Sequence, residues 1–220
     1  MAIIFGMVSC APQKDTTIAI DVLLIPSEEM YTQALQLNSK INANNPKTIK
    51  LDENHVPHIT LLQGYIKETD LWKVTKALNS LYENIAQDSL KAESFFYDHK
   101  KEESFAMVRI EKSKPLLQLH EKTIKLVKPY LIKNGSGASF VQNPDNSPIS
   151  NSTVHYVSNF IAKHGHENYD PHISLGVAQK KVLDSLAERV FKPIHFKASS
   201  LSVYHLGDHG TAQKLLWKSE

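Results

Sequence analysis

Residues 57–61 read Pro-His-Ile-Thr-Leu, and residues 171–175 read Pro-His-Ile-Ser-Leu. On a β-strand, residues two apart point to the same side. His58 and Thr60 therefore share one face, with Ile59 and Leu61 behind them. His172 and Ser174 share a face in the same way, with Ile173 and Leu175 behind. Each strand is expected to bury its Ile/Leu pair under a helix and to present an imidazole beside a hydroxyl.

The surroundings of the two phrases repeat as well. Residues 16–26 are β-branched and apolar, which predicts a buried strand ended by Pro26. Ser27-Glu28-Glu29 opens a helix over 27–43 whose Met30, Ala34, Leu37 and Ile41 have helical spacing. After the PHITL strand, Leu71, Val74, Leu78, Leu81 and Ile85 line one face of a second helix. The second half starts with a strand at 104–111. Pro115 then opens a helix to about Leu131, with Leu116, Leu119, Ile124 and Val127 as its stripe. The PHISL strand follows, and then a helix over 180–191. The order is strand, helix, PHI[TS]L strand, helix, twice. The halves differ mainly at 134–157, rich in Gly, Asn, Ser and Pro and expected to be a long loop. Residues 201–218 read as two strands about a Gly-Asp-His-Gly turn. The fold class expected is α+β: one domain over 16–220, made of two pseudo-symmetric lobes. Each lobe is a mostly antiparallel sheet covered by helices, with a central cleft between them.

Composition narrows the function. The 220 residues suit one sizeable domain, and a net charge of +2 gives no strong basic field for duplex DNA. The one cysteine, Cys10, ends an apolar opening, "MAIIFGMVSC", and polar "APQKDTT" follows. Small residues before a cysteine after an apolar run resemble a bacterial lipoprotein signal and tether over residues 1–15. Cys10 would then be the lipid anchor, attaching the protein to the membrane on the periplasmic side of the cell envelope. No Lys or Arg precedes the run, and the other reading is a buried N-terminal strand in a cytoplasmic protein. No other stretch approaches the ~20 apolar residues of a membrane span.

Two imidazoles and two hydroxyls converging on a cleft suit the hydrolysis of a cyclic phosphodiester. A neutral imidazole takes a proton from water, and a protonated one gives a proton to the departing sugar oxygen. The hydroxyls donate to phosphate oxygens whose charge grows in the transition state. The duplicated H-x-[ST]-apolar motif resembles that of the two-histidine (2H) phosphoesterases, which include bacterial RNA 2′,5′-ligases and 2′,3′-cyclic phosphodiesterases. The resemblance runs from about residue 18 to the C-terminus. It implies that His58 and His172 are the acid/base pair and that Thr60 and Ser174 hold phosphate. Tyr169 and His205 are further substrate-binding candidates.

Tyr65 and Tyr169 flank the motifs, either as packing or as faces for a nucleobase. The histidines at 155, 164, 166, 205 and 209 read as solvated loop residues, because no carboxylate or cysteine accompanies them at zinc-site spacing. No G-x-S-x-G or phosphate-cradling glycine motif is present. The expectation is a monomeric, metal- and cofactor-independent cyclic phosphodiesterase acting on RNA ends with cyclic phosphate or on small cyclic nucleotides. ATP-independent 2′,5′ joining of RNA ends and a non-catalytic nucleotide- or RNA-binding module are the alternatives.

Overall fold

The structure, a computed structural model, describes residues 16–85 and 88–219. Cys10 and its leader lie outside the described residues. Among those that are described, no helix is long and apolar enough to cross a membrane.

Strand β1 (Thr17–Pro26) lies at the centre of a five-stranded antiparallel sheet. It pairs on one side with β2 (Ile59–Lys67) and on the other with β8 (Ala198–Leu206). Strand β5 (Leu131–Ile132) extends the sheet beyond β2, and β9 (Ala212–Lys218) extends it beyond β8. The second sheet has four antiparallel strands in the order β6 (His172–Gln179), β4 (Glu103–Ile110), β3 (Leu90–Phe96) and β7 (Ile194–Phe196). The two PHI[TS]L strands are thus β2 and β6, each paired with the strand that opens its own unit.

The helices exchange partners between lobes. Helix α1 (Glu28–Asn44) follows β1 but packs on β6 and on α6 (Lys180–Arg189), so it covers the second sheet. Helix α3 (Lys114–Val127) follows β4 but packs on β2 and on α2 (Leu71–Ile85), covering the first. The stripes expected from sequence are the buried ones: Met30, Ala34, Leu37 and Ile41 in α1, and Leu116, Leu119, Ile124 and Val127 in α3. In α2, Val74, Leu78 and Leu81 are buried, while the side chain of Ile85 lies outside the described set. One continuous apolar cluster runs through both sheets and all four helices, and the exchange is what makes the two lobes one core.

Five elements were not expected: β3, β5, β7 and two helices. Strand β3 escapes a period-2 reading because its ladder is irregular between Ala92 and Ser94, so its buried positions run 90, 92, 95. Strand β7 is only three residues long. The segment 134–157 is not loop throughout: its last seven residues lie in α4 (Asn151–Ser158), and α5 (Phe160–His164) follows directly. Ser150 caps α4 by accepting from the Thr153 amide. Helices α4 and α5 pack on β2. They roof the face of the first sheet that α2 and α3 leave open, so β1 is buried on both sides. Ile18, Ile20, Val22 and Leu24 face the main core, while Ala19 packs in a small cluster beneath the roof and Leu23 in another with Val56, Tyr204 and Ala212.

Candidate active site

Both motif strands carry the same irregularity at the same residue. Val22 pairs with Leu62 and Leu23 with Thr60, so Leu61 is skipped in the ladder. Ala106 pairs with Gly176 and Met107 with Ser174, so Leu175 is skipped. A bulge of this kind bends its strand and re-aims the side chains beyond it. After Leu61 the alternation slips by one, which brings Gln63 onto the same face as Thr60. After Leu175 the chain passes through Gly176 at φ +112, where a Cβ would lie 2.7 Å from the Thr48 hydroxyl. Glycine is required there on both counts.

Each skipped leucine is held by the other unit. Asn38 of α1 donates its side-chain amide to the Leu175 carbonyl at 2.8 Å, and His120 of α3 donates from Nδ1 to the Leu61 carbonyl at 2.7 Å. The same side chains also fasten the segment leading into their own unit's motif. Asn38 Nδ2 donates to the Ile49 carbonyl and its Oδ1 accepts from the Leu51 amide, while His120 Nε2 accepts from the His166 amide. Both nitrogens of the buried His120 are therefore used, and burial lowers its pKa.

The two motif histidines are oriented identically. Nδ1 of His58 lies 2.7 Å from the carbonyl oxygen of Val56, and Nδ1 of His172 lies 2.7 Å from that of Asp170. A carbonyl only accepts, so Nδ1 carries the proton and Nε2 holds the free lone pair. In each case a proline with fixed φ stands between the accepting residue and the histidine, which gives the Pro-His dipeptide a physical reason. His58, Thr60, His172 and Ser174 all line one cavity of about 470 Å³.

A carboxyl breaks the symmetry. Asp21 of β1 is fully buried, and its Oδ2 accepts from Thr60 Oγ1 at 2.9 Å and Gln63 Nε2 at 2.7 Å. The same oxygen lies 3.6 Å from His58 Nε2. Asp21 Oδ1 has no partner among the described residues, and burial raises the carboxyl pKa to about 8 despite the hydrogen bonds from Gln63 and Thr60. Burial also lowers His58 to about 4; the Val56 bond opposes this and the nearby His172 adds to it. At neutral pH the pair thus holds its proton on the carboxyl. The ladder position equivalent to Asp21 in the second lobe is Phe105, opposite Val177 as Asp21 is opposite Gln63.

The roof supplies the opposite wall. Tyr156, Phe160 and His164 line the cavity, with the Tyr156 ring stacked on His164 at 4.4 Å. Burial and the neighbouring Asp21 push the Tyr156 hydroxyl up to about 12. Asp208, in the turn between β8 and β9, moors this roof by accepting from the Ser150 and Thr153 hydroxyls at 2.7 and 2.6 Å. Burial alone would raise its pKa, but those bonds win and hold it at about 2.

The other residues expected at the site lie elsewhere or are already engaged. His205 is not in the cleft; its Nε2 bonds to the Ser139 carbonyl at 2.8 Å, where it pins the chain leading into the roof. Tyr169 borders the cavity, but its ring is only 3% exposed and stacks flat on His120 at 3.8 Å. Its hydroxyl donates to the Thr60 carbonyl at 2.9 Å. Tyr65 is buried edge-on against Phe140. Neither tyrosine presents a free face to a base. Among the described residues, no three His, Cys, Asp or Glu side chains converge to hold a metal ion. Asp21 was detectable as the lone charge in the apolar strand 17–26. Tyr156, Phe160 and His164 were detectable by their i, i+4 spacing.

The family model for the 2′-5′ RNA ligase superfamily matches residues 26–210. The chain belongs to that superfamily. Its members are phosphoesterases and RNA ligases that act on RNA ends and nucleotides. The fold agrees with that of TT0787 of Thermus thermophilus, at 14% identity and a TM-score of 0.51, over 92% of this chain and 97% of that one. The chain is also similar to E. coli LigT complexed with 3′-AMP, at 12% identity and TM-score 0.44 over 93% and 98% of the two chains. Similarity to Kluyveromyces marxianus Usb1 with uridine monophosphate is 11% identity, TM-score 0.40, over 92% and 98%. No curated protein sequence matches the chain. Within the superfamily fold, His58 and His172 occupy equivalent places at the start of the two motif strands.

Proposed function

We propose that this protein is a phosphodiesterase that opens cyclic phosphates at RNA ends, or in small cyclic nucleotides, by two-histidine acid/base catalysis. One observation carries the reading. Two imidazoles, each with its Nδ1 proton spent on a carbonyl, line one cleft, so that Nε2 is the atom left for proton transfer in both, that of His58 standing 3.6 Å from Asp21 Oδ2. In the reaction, water attacks phosphorus in line with the departing ribose oxygen. The neutral imidazole takes the water proton, the P–O bond to the new oxygen forms, and the ring P–O bond breaks. The protonated imidazole delivers its proton to the leaving oxygen, giving a phosphomonoester and a free hydroxyl. The histidines finish with exchanged protonation states and reset through solvent.

Asp21 and His58 hold one proton between them near neutral pH. An incoming phosphate anion favours placing that proton on the imidazole, which the ionised Asp21 then stabilises. The Ser174 hydroxyl makes no hydrogen bond with any described residue and is available to a phosphate oxygen.

The test is a screen of purified protein against 2′,3′-cyclic nucleotides, 3′,5′-cyclic nucleotides and oligonucleotides ending in a cyclic phosphate. Release of phosphomonoester from the 2′,3′-cyclic substrates is expected. Product analysis at high RNA-end concentration separates hydrolysis from 2′,5′ joining. Inactivity on every cyclic phosphate would defeat the reading.

A further inference from the structure

The roof covers one sheet only. In the first lobe, Asp21 and Leu23 on the cleft side of β1 are fully buried. Their ladder equivalents in the second lobe, Phe105 and Met107, are not: Phe105 is 40% exposed and Met107 is partly exposed. Helices α1 and α6 touch each other and pack on the same side of the second sheet, where Ala106, Val108, Ile110 and Ile173 are buried. The other side carries Phe105, Met107 and Arg109 on β4 and Phe96 on β3, and it is continuous with the cleft. Arg109 is opposite His172 in the ladder, Met107 is opposite Ser174 and Phe96 is opposite Met107.

We propose that this open face carries the single-stranded RNA leading away from the reacting end, with a base against Phe105 and a phosphate at Arg109. The proposal rests on the phosphodiesterase reading and extends it to the substrate class: an oligonucleotide in preference to a mononucleotide. Along β4 from Arg109 to Phe105 the track spans four residue rises, roughly 13 Å, which is room for about two nucleotides beyond the cleft. Aromatic side chains on the open face of a four-stranded antiparallel sheet are a general platform for unpaired bases.

The charge is suitable. The Arg109 guanidinium lies 3.6 Å over the Phe96 ring, which holds it flat, and its buried Nε has no hydrogen-bond partner among the described residues. Arg109 and Lys112 share one carboxylate, Asp170, at 3.5 and 3.8 Å, leaving a net positive charge beside the cleft. The acidic Glu103 stands at the far end of β4, opposite Gln179, and marks where the track stops.

Calorimetric titration with unlabelled, 3′-phosphorylated oligonucleotides of one to four residues tests this without turnover. Wild-type Kd is expected to fall about tenfold between the mononucleotide and the trinucleotide, the scale of one stacked base. Phe105→Ala should lose most of that gain while binding the mononucleotide as before, and Phe105→Tyr should restore it. Arg109→Gln should flatten the salt dependence of trinucleotide binding. A Kd that does not change with length, or a Phe105→Ala protein that keeps the full gain, would overturn the proposal. If length-independent binding accompanies cyclic-phosphate hydrolysis, only the surface assignment fails. If no nucleotide binds and no cyclic phosphate is opened, both readings fail.

Discussion

Asn38, in α1, donates to the carbonyl of Leu175, 137 residues later and in the other repeat unit. His120 makes the matching bond to Leu61. Together the two bonds tie each bulge, and so each motif histidine's strand, to the helix of the opposite unit. The pair of clasps is expected to set the separation of His58 from His172, an expectation the following variants test.

The clasps can be dissected by replacing one nitrogen at a time. His120→Asn keeps a donor at the Nδ1 position, facing Leu61, whereas His120→Gln keeps only an acceptor at the Nε2 position, facing His166. The asparagine variant should stay within about threefold of wild type in kcat. His120→Gln and Asn38→Asp should each lose about tenfold or more with little change in KM, because misplacing a reacting group costs rate more than binding. In the double variant Asn38→Asp/His120→Gln, losses of Tm should add while losses of kcat should not, since both bonds control one distance. Additive kcat losses, or equal losses for His120→Asn and His120→Gln, would show that the clasps act on stability alone.

Asp21→Asn should make the protein more stable and less active. The folded carboxyl titrates at about 8 and the unfolded one near the ordinary value of 3.8. Between those values the unfolded chain releases a proton that the native state keeps, so stability falls as pH rises from about 4 to 8. Asparagine has no such penalty. Its Tm advantage should be small at pH 4 and grow toward pH 8, while kcat/KM falls by on the order of tenfold, one charge-assisted bond. A variant less stable than wild type at pH 8 would mean that Asp21 is ionised and paired with a protonated His58.

Thr60 and Ser174 should not behave alike. Thr60 already donates to Asp21, whereas the Ser174 hydroxyl is uncommitted among the described residues. Ser174→Ala should cost ~1.5–3 kcal/mol in kcat/KM with Tm unchanged, as expected for a lost bond to a charged oxygen. Thr60→Val should in addition shift the pH profile, because it removes one of the two bonds that hold the Asp21 pKa down. Identical profiles for the two variants would remove Asp21 from the mechanism.

What the sequence made legible was whatever repeats with a fixed period. The apolar stripes of α1 and α3, the alternation in the two motif strands and the paired PHI[TS]L phrases all predicted elements that the fold contains. Three things were not legible, each for a definite reason. The bulge at Leu61 is produced by pairing between distant strands and has no adjacent glycine to mark it, so the slip that turns Gln63 toward Asp21 was missed; at Leu175 the following Gly176 was the one local sign, and it was not read. The exchange of α1 and α3 between lobes changes no local periodicity, so Asn38 and His120 looked like ordinary polar residues on amphipathic helices. The roof was hidden by its composition, since Asn, Ser and Pro before α4 outweighed the helical spacing of Tyr156, Phe160 and His164. His205 was offered through the family resemblance alone; on β8 it pairs opposite Ile20, and its ring is spent on the Ser139 carbonyl.

The central claim, that two imidazoles carry the proton transfers, is tested most directly by kcat/KM against pH with a 2′,3′-cyclic phosphate in EDTA. Wild type, His58→Ala and His172→Ala are the proteins to compare. The wild-type profile should be bell-shaped and the same with or without EDTA. One limb should lie well below the ordinary imidazole value of 6.5, because burial holds His58 at about 4. Each alanine variant should keep its fold, lose about 10² or more in kcat and lose the bell. An alkaline plateau that EDTA abolishes, or activity that survives removal of both histidines, would contradict the account.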